Sequence, residues 1–158
     1  AGAKRALFFG SCGGLDRSIA AGHFIVPTAA YRDEGTSYHY APASDYIDIL
    51  TAAELSAAFD AISMPHVQGK TWTTDAIYRE TRDGLAKRRA EGCITVEMEC
   101  ASLMAVGQFR KKAVYQFLYA EDCLDSVEWD PRIMGKQPAT AYEGYLDVAL
   151  ECAIRVKG

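Results

Sequence analysis

The sequence predicts an α/β fold with three layers, in which helices cover both faces of a mixed central sheet. Apolar runs of strand length alternate with segments of helical periodicity in the second half of the chain, and this alternation is typical of parallel or mixed sheets. The chain has 158 residues, of which 49% are hydrophobic and 24% charged. A chain of this size and composition can bury a core without disulfides or metals. We therefore expect residues 1–158 to form a single domain.

The strands are predicted by short apolar runs that end at local breakers. The first is expected at residues 6–9 and ends at Gly10, and the second is expected at residues 24–26 and ends at Pro27. Residues 31–45 lack helical periodicity and are rich in Tyr, Ser, Asp, Gly and Pro, so they predict a long loop or an irregular hairpin. The remaining strands are expected at residues 66–73, 94–98 and 113–119.

The helices are predicted by their first and last residues. Thr51 and Glu54 match a capping box that opens a helix to about residue 62. Thr81 is expected to cap a second helix, which Gly92 ends. Two more helices are expected at about 99–111 and 139–156.

Composition argues against several classes of protein. The net charge is −4 and no block of Lys and Arg suggests a nucleic-acid surface. The three histidines lie far apart, so no metal site is expected. The five cysteines form no CxxC pair, which fits reduced thiols and a cytoplasmic location. No run approaches the roughly 20 apolar residues of a membrane helix.

The junction of the predicted strand at 94–98 and the next helix carries Glu97, Met98 and Glu99. Carboxylates at such a junction lie at the sheet edge where open α/β folds bind ligands, and a carboxylate can accept hydrogen bonds from a pair of ligand hydroxyls. The alternative is that both acids only cap and charge the N-terminus of the helix.

A second candidate site segment is glycine-rich. Gly10-Ser11-Cys12-Gly13-Gly14 directly follows the first predicted strand. Glycines allow close approach of an anion, and consecutive amides can form an anion-binding nest, to which the Ser11 hydroxyl would add a donor. The alternative is a tight turn without a ligand.

Taken together, Gly10–Gly14 and Val96–Glu99 resemble the nucleoside phosphorylase/uridine phosphorylase family. Residues 32–42 and 71–81 also resemble that family's loop and base-binding segments, and Glu121-Asp122 falls where its purine-acting members carry Ser-Asp. The resemblance implies reversible phosphorolysis of a purine or uracil ribonucleoside, with inorganic phosphate as co-substrate and no cofactor. It also implies a homo-oligomer, a dimer or a trimer of dimers, that binds neither nucleic acid nor membrane.

The resemblance assigns a role to each candidate residue. Phosphate is assigned to Gly10, Ser11, Cys12 and Gly13, ribose to Glu97, Met98 and Glu99, and the base to Ile77, Tyr78 and Asp122. Glu99 would hold the ribose hydroxyls and favour a ribosyl cation, whereas Glu97 would bind ribose or only support the turn. Asp122 would supply a proton at N7 of a purine.

Three other residues receive weaker assignments. Arg132 is a candidate partner of Asp122, the alternative being a surface arginine. Tyr78 would stack on the base or be a half-buried tyrosine at a strand end. His39 would approach the pocket or a neighbouring subunit, or remain an exposed loop residue.

The sequence also departs from the family pattern. Phe8 stands where phosphorolytic members carry an arginine, which favours hydrolysis as an alternative. The loop at 32–42 indicates uridine, whereas Asp122 indicates purines. We expect the family's N-terminal part to be absent from this chain and the 158 residues alone to have little or no activity. The alternatives are therefore an N-ribosyl hydrolase and a non-catalytic nucleoside-binding or oligomer-forming remnant.

Overall fold

The computed structural model describes residues 2–126 and 128–157. Ala1 and Gly158, the ends of the predicted domain, and Val127 lie outside the described residues. The described residues form strands β1 (Arg5–Gly14), β2 (Phe24–Asp33), β3 (Tyr46–Asp48), β4 (His66–Thr74), β5 (Cys93–Glu97) and β6 (Ala113–Cys123). They also form helices α1 (Ala52–Ala61), α2 (Arg82–Ala90), α3 (Cys100–Phe109) and α4 (Ala139–Ala153). The predicted mixed α/β fold is confirmed.

The central sheet is mixed and closes on itself. Its strand order is β3-β2-β4-β5-β1-β6, and β2 pairs with β6 as well. The pairs β2–β4, β4–β5 and β1–β6 are parallel, whereas β1–β5, β2–β6 and β2–β3 are antiparallel. Five strands therefore form a small closed barrel, and β3 extends it outside β2.

Side chains on the two faces of the strands pack into two different hydrophobic cores. Leu118 and Ala120 of β6 belong to a cluster to which all five barrel strands contribute, so this cluster fills the barrel. Tyr115 and Phe117 point the other way, into a larger core shared with α1, α3 and α4. Leu85 of α2 packs against a third cluster on β4 and β5. Helices thus cover the sheet on more than one side.

The predicted ends of the first two strands were wrong. β1 does not end at Gly10 but continues to Gly14, because its parallel pairing with β6 extends through the glycines. β2 does not end at Pro27 but continues to Asp33. The register between β2 and β4 shifts between Pro27 and Ala29, and such irregularities accommodate a proline that lacks an amide donor.

β6 extends four residues beyond its predicted end at Tyr119. The extension brings the acids Glu121 and Asp122 into the buried end of the strand. Acidic residues are uncommon in strands, so their presence led the sequence pattern to place them in a loop.

The helix predictions were correct in position but only partly in capping. Thr81 accepts a hydrogen bond from the Gly84 amide, and Gly92 follows α2 with a φ of 91°. The capping box at Thr51 was wrong, because its hydroxyl donates to the carbonyl of Val114 and Glu54 accepts from Tyr115. In the described part of the chain, no helix has the length and apolar character needed to cross a membrane.

Residues 34–45 form the irregular connection between β2 and β3, with a 3-10 turn at Thr36–His39. The predicted start of this loop at residue 31 was wrong, because residues 31–33 continue β2 through their pairing with β4. Buried Arg32 organises the connection: its guanidinium donates to the Ser37 hydroxyl at 2.8 Å and to the Pro42 carbonyl at 2.6 Å. It also stacks on Tyr38, at 4.1 Å from the ring centre.

Candidate active site

A cavity lies where the last residues of β1, β5 and β6 meet. Its inner chamber has a volume of about 180 Å³, and an outer chamber of about 740 Å³ shares Asp122 and Leu124 with it. The residues that line the inner chamber are Ser11, Cys12, Gly13, Ile77, Glu80, Val96, Glu97, Met98, Glu99, Glu121, Asp122, Leu124 and Met134. The structure therefore brings residues of the predicted phosphate, ribose and base segments to one cavity.

Gly13 is the point at which the three segments meet. It pairs with Val96 on β5 and with Asp122 on β6. A Cβ atom at this position would lie 2.5 Å from Leu124 Cδ1, 3.0 Å from Val96 Cγ1 and 3.1 Å from Asp122 Oδ1. The close approach of these side chains to β1 therefore depends on glycine.

The predicted anion-binding turn at Gly10–Gly14 is wrong as a conformation, because these residues form the end of β1. Successive amides of a strand point to opposite sides, so they cannot converge on one anion as a nest does. The Cys12 side chain is buried inside the barrel, and Gly10 does not line the cavity. Ser11 is exposed and lines the cavity, so its hydroxyl remains available to a ligand, and Gly13 lines the cavity beside it.

Glu97 is a buried cap of α3. Its Oε2 accepts from the backbone amides of Glu99 at 2.9 Å and of Cys100 at 2.7 Å. Its Oε1 accepts from the Thr73 hydroxyl at 2.6 Å. Burial raises the pKa of Glu97 from 4.5 to about 7, and the hydrogen bonds from Thr73 and the two amides oppose that rise. The alternative that Glu97 supports the turn fits this geometry.

Replacing Glu97 with alanine is expected to lower the free energy of unfolding by about 3 kcal/mol, because two α3 amides and a buried hydroxyl lose their acceptor. Glu97→Gln keeps a carbonyl acceptor and is expected to cost about 1 kcal/mol or less. Urea denaturation of both variants and the wild type measures the two differences. A loss of about 1 kcal/mol or less in Glu97→Ala would show that the cap contributes little.

The raised pKa of Glu97 predicts how the free energy of unfolding depends on pH. The folded-state pKa of Glu97 is about 7, above its ordinary value of 4.5, so the folded protein holds this proton more tightly than the unfolded chain. The resulting stability is fully present below about pH 4.5 and is lost as the pH rises through about 7. In Glu97→Gln, unfolding free energies measured between pH 4.5 and 7.5 should fall less with pH than those of the wild type.

Glu99 differs from Glu97 in having a free carboxylate. It occupies the cap position of α3 without a side-chain capping bond, and no donor within residues 2–126 and 128–157 is hydrogen-bonded to its carboxylate. Met98 between them is 42% exposed. Helix capping therefore explains Glu97 but leaves Glu99 open to a ligand.

Asp122 is buried at the end of β6, and its partner is a residue that the sequence reasoning missed. Trp129 donates its indole N–H to Asp122 Oδ2 at 2.6 Å. The predicted pairing of Asp122 with Arg132 is wrong: the Arg132 guanidinium donates to the carbonyl of Ile19 at 2.6 Å and lies near Asp130. The spacing of Asp122 and Trp129 in the sequence does not predict a contact between them. Their contact becomes evident only from the chain reversal after β6.

Glu80 is a second site residue that sequence reasoning missed. It lines both chambers. Burial, followed by the charge of Asp122, raises the pKa of Glu80 from 4.5 to about 7. The signal available in the sequence was an acid inside the 71–81 segment, directly before the helix cap at Thr81.

The structure places the other residues predicted for the base side differently. Ile77 lines both chambers, whereas Tyr78 lines only the outer one and is 98% exposed. The alternative of a half-buried tyrosine was wrong. His39 is exposed and does not line the cavity, and neither does Phe8.

The cavity is strongly acidic. Five carboxyl groups line the inner chamber, whose described lining has no lysine or arginine. Burial and the charges of Glu97, Asp122 and Glu121 raise the pKa of the Cys12 thiol. Such surroundings favour a positively charged group over a bare anion. Among the described residues, no group of three or more His, Cys, Asp or Glu is arranged to hold a metal ion.

The chain is similar to known proteins over most of its length. The family model of the phosphorylase superfamily matches residues 1–139. The chain is 24% identical over 157 residues to the DeoD-type purine nucleoside phosphorylase of Bacillus cytotoxicus and 26% identical over 161 residues to that of Exiguobacterium sibiricum. Each match covers 98% of this chain but 66% of the relative, so the chain spans about two thirds of the length of these enzymes.

Solved structures share the fold. A crystal structure of AMP nucleosidase from Bacteroides thetaiotaomicron superposes with a TM-score of 0.74 at 25% identity, covering 96% of this chain and 60% of that one. Purine nucleoside phosphorylase from Toxoplasma gondii, in complex with immucillin-H, gives a TM-score of 0.78 at 21% identity, covering 98% of this chain and 65% of that one.

Proposed function

Because the chain belongs to the phosphorylase superfamily, we propose that it carries the ribose- and base-binding part of a purine nucleoside phosphorylase. One observation carries the proposal: Glu99 and Asp122 reach the same cavity from either side of β1, which supplies Ser11. In this proposal the enzyme cleaves the N-glycosidic bond of a purine ribonucleoside and transfers the ribosyl group to phosphate.

Glu99 is proposed to bind the ribose. Its carboxylate is exposed to the cavity and lacks a protein donor among the described residues, so it can accept from the 2′- and 3′-hydroxyls together. As the glycosidic bond breaks, positive charge develops on the sugar, and a nearby carboxylate stabilises that charge more than it stabilises the neutral substrate. Met98 supplies an exposed apolar surface beside the sugar.

Asp122 is proposed to face the base. Breaking the bond leaves negative charge on the purine, and a proton at N7 neutralises it. Asp122 Oδ2 is held by Trp129, so Oδ1 is the oxygen that can share a proton with N7. Glu80, whose pKa is raised to about 7, shares both chambers with Asp122 and can hold a proton there near neutral pH.

Phosphate is proposed to bind at the Ser11 hydroxyl and the backbone near Gly13. Both line the inner chamber. The described lining supplies no lysine or arginine for a phosphate dianion, and the relatives have about a third of their length beyond the matched region. We propose that the full-length protein supplies the missing cation.

An N-ribosyl hydrolase is the second candidate. The acidic lining and Phe8, at the position where phosphorolytic members carry arginine, both disfavour phosphate and leave water as the nucleophile. The similarity to the AMP nucleosidase structure supports the same alternative. Either reaction uses Glu99 and Asp122 in the same roles.

Product analysis separates the candidates. Full-length protein incubated with inosine and phosphate is expected to release hypoxanthine and ribose 1-phosphate, at a rate that falls at least about 100-fold when phosphate is withdrawn. Hypoxanthine and free ribose formed equally well without phosphate would support the hydrolase instead. Saturable inosine binding without turnover would support the alternative of a non-catalytic nucleoside-binding protein. Adenosine and uridine, assayed in parallel, measure the base preference.

The assembly remains a prediction. The proposed enzyme is a homo-oligomer, a dimer or a trimer of dimers, acting in the cytoplasm on a small-molecule nucleoside without cofactor, nucleic acid or membrane. Analytical ultracentrifugation of the full-length protein measures its oligomeric state.

A further inference from the structure

Trp129 occupies an unusual place at the cavity. The chain reverses after β6, and a backbone bridge between Cys123 and Asp130 holds the returning segment, with amide–carbonyl distances of 2.8 and 3.1 Å. The amide of Ile133 donates to the carbonyl of Glu121 and extends this attachment. The bridge at Asp130 therefore holds the adjacent Trp129 beside the end of β6.

The indole constrains one oxygen of Asp122. An indole N–H can only donate, and at 2.6 Å it occupies Oδ2. Oδ1 lies on the side of β1, where a Cβ atom on Gly13 would come within 3.1 Å of it. Arg132, the partner expected from the sequence, donates to the carbonyls of Ile19 and Arg17 instead. The indole is thus the donor that fixes the rotation of this carboxyl.

The ring of Trp129 also forms a wall of the outer chamber. It is 59% exposed and lines that chamber together with Tyr78 and Leu124. The other tryptophan, Trp72, is 3% exposed and donates to Asp33 Oδ2 at 3.0 Å. An exposed aromatic face beside a carboxylate suits a planar heterocycle that carries a ring nitrogen.

We propose that Trp129 is a positioning residue for Asp122 and that its ring contacts the purine bound there. This inference rests on the proposed function and deepens it. The indole holds Oδ2 so that Oδ1 meets the ring nitrogen of the base, and the ring limits how the base can tilt. Base selection then depends on the Asp122–Trp129 pair.

The test uses the full-length protein and inosine. Trp129→Phe keeps an aromatic ring but removes the donor, and a hydrogen bond to a charged group corresponds to about a 10- to 100-fold change. We therefore expect kcat to fall by about that factor while KM changes about threefold or less. Trp129→Ala also removes the ring and should raise KM as well. Tyr142→Phe, an exposed aromatic change on α4, is the matched control and should leave both constants unchanged.

Tryptophan fluorescence gives a second readout that does not depend on turnover. Hypoxanthine should quench the emission of Trp129 in the wild type, whereas Trp129→Phe, which keeps the buried Trp72 of this chain, should show less quenching. Melting temperatures of the variants confirm that they fold. If Trp129→Phe keeps wild-type kcat and KM, the inference is overturned and the proposed function stands. If the wild type releases no base from any nucleoside, both fail.

Discussion

Replacing Asp122 with asparagine is expected to lower kcat for inosine cleavage by about 100-fold to 10,000-fold, the range typical of losing a general acid. Asparagine is nearly the same size and can still accept from the Trp129 indole, so the geometry at 2.6 Å should persist. What is lost is the oxygen that shares a proton with the departing base. Steady-state kinetics with inosine measures the effect.

A modified substrate makes this test specific. In 7-methylinosine, N7 already carries a positive charge, so the base departs without needing a proton. Asp122→Asn should therefore cleave 7-methylinosine at nearly the wild-type rate while failing on inosine. If both substrates slow equally, Asp122 does not act through proton transfer to the base, and a positioning role replaces it.

The second large effect is expected at Glu99. Glu99→Gln keeps the size of the side chain but loses its charge, so kcat/KM for inosine should fall by about 100- to 1,000-fold, as for removal of one electrostatic contact to a transition state. Glu143→Gln, an exposed change on α4, is the charge-matched control and should have no effect. The initial rate of hypoxanthine release measures both.

Comparing inosine with 2′-deoxyinosine locates the contact. If Glu99 accepts from the 2′-hydroxyl, the wild type should lose activity when that hydroxyl is removed, and Glu99→Gln should lose much less. Equal losses in wild type and variant would show that Glu99 does not contact the 2′-hydroxyl. The control and the pair of substrates together separate a binding role from a loss of folding.

The location of Glu97, Met98 and Glu99 was largely predictable from the sequence. An apolar run that ends in Glu97, Met98 and Glu99 and continues into a helix places these residues at the edge of a sheet, and the structure shows that junction. The sequence left open which acid caps the helix. That choice depends on Thr73 and two amides that converge on Glu97, which no local pattern reveals.

The glycine-rich segment was harder to predict because local preference and tertiary pairing disagree. Consecutive glycines favour a turn, but pairing with β6 keeps Gly10 and Gly14 in a strand. Pro27 illustrates the same conflict, since a local irregularity between β2 and β4 accommodates it within a strand. In both places long-range hydrogen bonding outweighs the local signal.

The base side was the least predictable part. Asp122 was identified by its position, but its partner was assigned to Arg132, a charged residue, instead of Trp129. The correct partner depends on the chain reversal at Cys123 and Asp130. Glu80 was missed because its importance comes from lying in the same cavity as Asp122, far away in sequence.

Hypoxanthine release from inosine by the full-length protein, compared with the Glu99→Gln/Asp122→Asn double variant in phosphate buffer, tests most directly whether these two carboxylates act on one bound nucleoside. We predict steady release by the wild type and a fall of at least about 1,000-fold in the folded double variant. Wild-type protein that releases no base, or a double variant that releases it at the wild-type rate, would contradict the proposed site.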